Sequence, residues 1–201
     1  MIKKLVCVLL IFCFAMSLMG CEKIPNPVVT MEFEDGRKAT IELLPDVAPN
    51  TVANFVTLIE SGFYDGLTFH RVSRNAIVQG GDPKGDGSGG PGYTIKGEFY
   101  ANDQRTKNFI SHERGVISMA RLQEYDSAGS QFFVVVDDQY SEASLDGYYA
   151  AFGYVIEGLE IFDEIAQMEI DEYESLKKPV VIKKMTVDTD GRVFKVKKIT
   201  E

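Results

Sequence analysis

Phe69-His70-Arg71-Val72, running on through Ile77 to Gln79-Gly80-Gly81-Asp82-Pro83, and Gly129-Ser130-Gln131-Phe132-Phe133 are the two stretches that decide the fold. Each joins apolar, strand-forming residues to polar groups that a buried strand normally avoids. Around them lie short apolar runs separated by turn residues: Val116 to Met119, Phe152 to Val155, Val180 to Val187 and Val193 to Ile199, besides Thr68 to Val72, Ile77 to Gln79 and Gln131 to Val136 themselves. Val28 to Phe33 and Lys38 to Leu43 flank Asp35-Gly36, which predicts a hairpin with a tight turn. Asn50 to Ser61 predicts a helix, because Val52, Phe55, Val56 and Ile59 share one face, Pro49 and Asn50 suit its start and Gly62 its stop. Ile161, Phe162 and Ile165 predict a shorter helix over Glu160 to Gln167. Many short strands and only two helices predict a mainly β protein, a closed antiparallel barrel.

The first twenty residues read as an export signal. Lys3 and Lys4 make a positive start, and Leu5 to Met19 is an apolar run short for a permanent span. It ends in Leu18-Met19-Gly20-Cys21, which resembles a bacterial lipobox, whose cysteine is diacylated and becomes the N-terminus. An ordinary cleaved secretory signal or a small membrane anchor is the alternative. The expected organisation is a lipoprotein signal peptide over residues 1–20, a lipidated tether over 21–26 and one domain over 27–201, on the extracytoplasmic face of a bacterial cell membrane.

Cys7 and Cys13 lie within the signal, so the processed chain keeps only Cys21, which removes disulfides, thiol catalysis and a cysteine metal site. The 201-residue chain has a formal charge of −9, and loss of Lys3 and Lys4 makes it two units more negative. Such a body does not attract nucleic acid or anionic lipid. Membrane attachment would come from acyl chains, at about 0.8 kcal/mol per buried CH₂. Eight glycines between Gly80 and Gly97 exclude a regular helix there. A phosphate loop lacks its following helix and its Lys-Ser or Lys-Thr. A calcium loop lacks alternating oxygen ligands, since Lys84 separates Asp82 from Asp86. A compact surface loop folded over a groove remains.

With Ser118-Met119-Ala120-Arg121 and Leu145-Asp146-Gly147-Tyr148-Tyr149-Ala150-Ala151-Phe152-Gly153, the two opening stretches give four strings in one order. Together they resemble the cyclophilin family of peptidyl-prolyl cis-trans isomerases, over about Pro27 to Val187. The resemblance implies an eight-stranded barrel with two capping helices, no cofactor, and proline-containing segments of exported proteins as partners; a monomer is expected. By the resemblance Arg71 is the catalytic arginine that bonds the proline carbonyl and approaches its nitrogen, and Gln79 orients it. Ile77, Phe133, Leu145 and Tyr149 would form the proline slot. Gln131, Gly87, Ala120 and Arg121 would line the backbone groove. Gln131 and Phe133 share one strand face and Phe132 the other, but periodicity does not say which phenylalanine is core; the resemblance sends Phe132 to the interior.

Prolyl isomerisation fits what the chain lacks. The barrier of about 18–20 kcal/mol is amide resonance, so no nucleophile or metal is required. His70 and His112 are read as structural, because two histidines with no acid converging on them make a poor metal site. Ala76-Ile77 replaces the family's usual Phe-Met and removes an aromatic wall. Ser144 stands where many eukaryotic members carry a tryptophan. A lipid-anchored binder of proline segments without turnover is the alternative, with Ala76 its best support. Cys21→Ser should abolish fatty-acid labelling and leave the domain either free of the membrane or retained as precursor; labelling that persists in this variant contradicts the lipobox.

Overall fold

Val28–Phe33 buries Val29, Met31 and Phe33 and leaves the alternate residues half-exposed, the period of a strand with one face on a core. Lys38–Leu43 repeats the pattern with Ala39, Ile41 and Leu43, and the two pair antiparallel across the Asp35-Gly36 turn, where Gly36 has φ +87°. The computed structural model describes residues 24–74, 76–137 and 142–200, the side chains of 142 and 143 excepted. The signal segment and Cys21 lie outside the described residues. In chain order the elements are β1 (Val28–Phe33), β2 (Lys38–Leu43), α1 (Pro49–Glu60), β3 (Phe69–Ser73), β4 (Ile77–Gly80), β5 (Val116–Met119), β6 (Phe132–Val135), the single turn α2 (Glu142–Leu145), β7 (Ala150–Glu157), α3 (Leu159–Ala166) and β8 (Ile182–Asp188). Among the described residues no helix is long and apolar enough to cross a membrane.

The eight strands form one antiparallel sheet in the order β3-β4-β6-β5-β7-β2-β1-β8. The sheet curls around an aromatic core. Phe55 of α1 meets Phe152 at 5.0 Å and Phe132 at 5.5 Å, and Phe162 of α3 meets Phe69 at 5.8 Å and Phe33 at 6.0 Å between ring centres.

The barrel expected from the sequence does not close. β3 and β8 are edge strands that meet only at the bridge Thr68–Val181, where the Ile182 N–H donates to Leu67 O at 2.8 Å and the Phe69 N–H to Val180 O at 3.2 Å. Beyond Phe69 the outer edge of β3 is taken by the connection between α3 and β8, and the Val72 N–H donates to Glu174 O at 2.8 Å. A curled half-barrel results. Nor is Val193 to Ile199 a strand. Its polar groups are met singly: Asn50 accepts from the Lys197 N–H at 2.7 Å, and Thr94 and Ile199 exchange backbone bonds at 2.7 and 3.1 Å.

The sheet is apolar on both faces where the candidate site lies. Val72, Val78, Val134 and Ile117 lie opposite one another on the core side. On the other side Val116, Phe133, Val135 and Ala151 make a second buried cluster, covered by Ile77, Ile110, Ala120, Leu145 and Tyr149. This outer cluster is why β5 and β6 are buried at every position rather than alternately.

Helix α1 has Ala48 at its N-cap, which offers no side-chain acceptor. Glu98 of a distant loop supplies one instead. Its carboxylate accepts from the Asn50 N–H at 3.1 Å, the Thr51 N–H at 2.7 Å and the Thr51 hydroxyl at 2.8 Å. Glu98→Ala strips these acceptors and should cost about 1–2 kcal/mol of unfolding free energy; an unshifted denaturation midpoint contradicts this capping role.

Candidate active site

Regular alternation would put Phe69 and Arg71, two apart in β3, on the same face. They are not. Phe69 pairs with Gly80 and Arg71 with Gln79, so β3 carries one extra residue, His70, and the bulge resets the alternation. Phe69 keeps its ring in the core, 6.2 Å from Phe132 between centres, while Arg71 falls in register with outward residues. Across the sheet Arg71 lies opposite Gln79, Gln79 opposite Phe133, and Phe133 opposite Ser118. One transverse row therefore carries the cation, an amide and an aromatic ring.

A hollow of about 640 Å³ opens on this outer face, lined by Arg71, Ser73, Arg74, Ala76, Ile77, Gln79, Ala120, Arg121, Phe133, Ser144, Leu145 and Tyr149. A second, of about 800 Å³, shares Gln79, Ala120 and Arg121 with it and runs between the glycine-rich loop and the segments 120–122 and 127–131, with Gly87 and Gln131 in its lining. Every site residue singled out in the sequence downstream of Cys21 thus borders one or both hollows. Phe132, by contrast, is in the core with no exposed surface.

The polar side of the site is a chain of side-chain hydrogen bonds. Arg71 donates from Nε to Glu174 Oε2 at 2.8 Å and from Nη1 to Gln79 Oε1 at 3.2 Å. Gln79 donates from Nε2 to Gln131 Oε1 at 2.9 Å, and Gln131 donates to Gly87 O and Gly89 O, both at 2.9 Å. Each amide accepts from one side and donates to the other, so the order fixes both orientations. Among the described residues these two bonds, from Nε and Nη1, are the side-chain hydrogen bonds of Arg71, and Nη2 makes none.

The apolar side is built on Phe133, only 2% exposed. Tyr149 stands edge-on to it at 5.8 Å, and the His112 ring stacks against it at 6.1 Å. His112 donates from its backbone N–H to Asp146 Oδ1 at 2.7 Å; its Nδ1 lies 2.8 Å from the same oxygen and its Nε2 3.0 Å from Ser118 Oγ. The Ser111 hydroxyl donates to Asp146 Oδ2 at 2.7 Å. Asp146 thereby ties the turn bearing Leu145 and Tyr149 to the strand beneath Phe133. An acid does converge on His112, contrary to the sequence expectation, but its oxygens are engaged by these donors. The Arg121 guanidinium lies 4.5 Å from the Tyr149 ring centre and donates from Nε to Tyr148 O at 3.1 Å, bracing the same turn from outside.

The glycine-rich loop folds on a buried carboxylate. Asp82 accepts from the backbone N–H groups of Lys84, Asp86 and Gly87 at 2.8, 3.1 and 2.5 Å. Burial pushes its carboxyl up, and the backbone donors of Lys84, Gly89 and Gly87 outweigh that and hold it below the usual aspartate value. A Cβ on Gly89 would lie 1.9 Å from Asp82 Oδ1, so the loop closes this tightly only with glycine there. Three polar partners went unread in the sequence: Asp82 as the loop's organiser, Glu174 as the partner of Arg71 and Asp146 as the partner of His112. Asp82 had a signal in its place among glycines. Glu174 had none, standing a hundred residues from Arg71 in an acidic stretch like many solvated ones.

A half-barrel of eight antiparallel strands, with an arginine, two glutamines and a phenylalanine shared between two adjoining outer hollows, is the architecture of a known class. The family model described as "Cyclophilin type peptidyl-prolyl cis-trans isomerase/CLD" matches residues 28–187. Peptidyl-prolyl cis-trans isomerase B of Bacillus subtilis is 47% identical over 137 residues, 68% of this chain and 89% of its own length. A Helicobacter pylori peptidyl-prolyl cis-trans isomerase is 45% identical over 134 residues, 66% of this chain and 76% of its own. The crystal structure of a Cryptosporidium parvum cyclophilin type peptidyl-prolyl cis-trans isomerase, in the presence of the dipeptide Ala-Pro, matches with a TM-score of 0.70 at 28% identity, covering 80% of this chain and 98% of that one. The chain belongs to the cyclophilin-type peptidyl-prolyl cis-trans isomerases. It is an isomerase, and the alternative of a binder without turnover gives way.

Both imidazoles of the site favour the neutral form. Burial lowers the His112 pKa below 6.5 against the opposing pull of Asp146, and burial likewise lowers that of His70 against Asp82. The unfolded chain then takes up these protons first as pH falls, so their contribution is complete above 6.5 and lost as pH drops through the lower folded values. NMR titration should show both rings titrating below 6.5, with unfolding free energy declining over the same interval; rings that titrate at or above the free value contradict this account.

Proposed function

We propose that this isomerase turns X-Pro bonds of exported proteins in the hollow floored by Phe133, with Arg71 as the group that favours the twisted amide. The observation that carries the proposal is the transverse row Arg71–Gln79–Phe133, which sets a cation beside an apolar ring on one face of one sheet. The proline ring would sit on Phe133 between Ile77, Leu145 and Tyr149, and the backbone preceding it would run along Ala120, Arg121, Gln131 and Gly87. Twisting the X-Pro bond localises the lone pair on nitrogen and ends amide resonance. A guanidinium donor is attracted more by that nitrogen than by the planar amide, and a contact stronger in the transition state than in the ground state lowers the barrier. Gln79 holds the arginine in place. Gln131 links that pair to the glycine-rich loop and so to the groove.

The signal-like start and Cys21 support a location outside the cytoplasmic membrane, with the enzyme tethered by acyl chains, palmitate among them, through residues 21–26 ahead of the domain over residues 27–201. A monomer suffices for this chemistry, since the row and both hollows are built from one chain. X-Pro bonds relax in tens to hundreds of seconds unaided, which gives an isomerase a role where secreted chains fold. Arg71→Ala removes a half-exposed side chain and opens no core cavity. It should lower kcat/KM on an X-Pro peptide by roughly 2–4 kcal/mol equivalent with thermal stability unchanged; native kcat/KM in a folded Arg71→Ala protein overturns the proposed role.

A further inference from the structure

The connection between α3 and β8 does more than cover the edge of β3. Ile170 bridges Leu176 and the Lys177 N–H donates to Glu169 O at 3.0 Å, which folds the segment back on itself. Asp171 ties the tip, accepting from the Tyr173 and Ser175 N–H groups at 2.9 Å each. The tip meets β3 at Glu174, whose carbonyl accepts from Val72 and whose carboxylate accepts from Arg71 Nε at 2.8 Å. Glu174 has φ 63°, a left-handed conformation that glycine or asparagine adopts more readily than glutamate. A residue with a β-carbon thus stands at a position whose backbone favours glycine.

We propose that Glu174 is a positioning residue for isomerisation: it fixes the plane of the Arg71 guanidinium so that Nη2 is presented to the hollow. This rests on the reading of Arg71 as the donor to the twisted amide. Arginine's nitrogens form one rigid plane, so a partner on Nε, together with Gln79 on Nη1, settles where the remaining amino group lies. With Gln79 alone the long side chain would keep free torsions. The pair is 43% and 40% exposed on its two sides, so it contributes little to stability and its effect belongs in catalysis.

This makes a separable prediction. Glu174→Gly removes the carboxylate and relieves the left-handed strain, so the protein should be as stable as the parent or more so while losing activity. The expected loss on an X-Pro peptide is about tenfold, in kcat rather than KM, because the donor meets its acceptor best in the transition state. Glu174→Gln, which keeps an oxygen acceptor for Nε, should recover most of it. In an Arg71→Lys background, where no planar fork exists to orient, Glu174→Gly should cause no further loss. An unchanged or raised kcat in Glu174→Gly, or an equal fractional loss in the Arg71→Lys background, overturns the inference and leaves the role of Arg71 standing. Full activity in Arg71→Lys itself would bring down the site reading and the inference together.

Discussion

One extra residue in β3 governs which way Arg71 points. The bulge at His70 lets Phe69 stay in the core and turns the arginine to the outer face, in line with Gln79 on β4 and Phe133 on β6. Side chains on a sheet alternate, so a strand without the bulge would have to bury the guanidinium or expose Phe69. Either costs several kcal/mol, from an unpaired buried charge or from a lost buried ring. Antiparallel register then carries the row across three strands, and the hollow forms where the row meets the turn held by Asp146.

A candidate site on the outer face of the half-barrel has a structural consequence. Central strands β5 and β6 must be apolar on both faces, and the outer cluster around Phe133 needs a covering layer that still leaves room for a ligand. The turn bearing Leu145 and Tyr149 provides it, held from within by Asp146 on Ser111 and His112 and braced from outside by Arg121. The glycine-rich loop provides the other bank, folded on Asp82 and joined to the row through Gln131. The hydroxyl nearest His112, that of Ser118, has no exposed surface, so this pair is closed to a ligand. Rotation about an amide asks only for an apolar seat and a well-aimed donor.

Much of this was legible before the structure. Hydrophobic period located β1, β2, α1 and α3 to within a residue or two: β1, β2 and α3 each set a buried face against a wetter one, while α1, buried at most of its positions, was marked by its apolar spacing and its end signals. The outer-face residues came from the four strings and the family they resemble. Periodicity alone would have put Arg71 beside Phe69 and could not choose between Phe132 and Phe133. Both rings are buried, one in each cluster, so burial itself did not distinguish them. The bulge is a property of pairing with β4, which a single strand does not encode. Glu174 lies far along the chain, and its φ of 63° has no signature in a glutamate. Closure failed as an expectation because β3 finds its outer partner in the loop at Glu174 rather than in β8. Val193 to Ile199 has the composition of a strand but only isolated partners at Asn50 and Thr94.

The most direct measurement is NMR exchange spectroscopy on a short X-Pro peptide mixed with catalytic amounts of the protein. Cis and trans proline signals should exchange far faster than the tens to hundreds of seconds of the unassisted bond. The peptide should also perturb amide signals of β4, β6 and the 145–149 turn rather than those of β1 and β8. Binding at that face with exchange no faster than in buffer would contradict catalysis there, and fast exchange with perturbations confined to the other edge of the sheet would contradict the site.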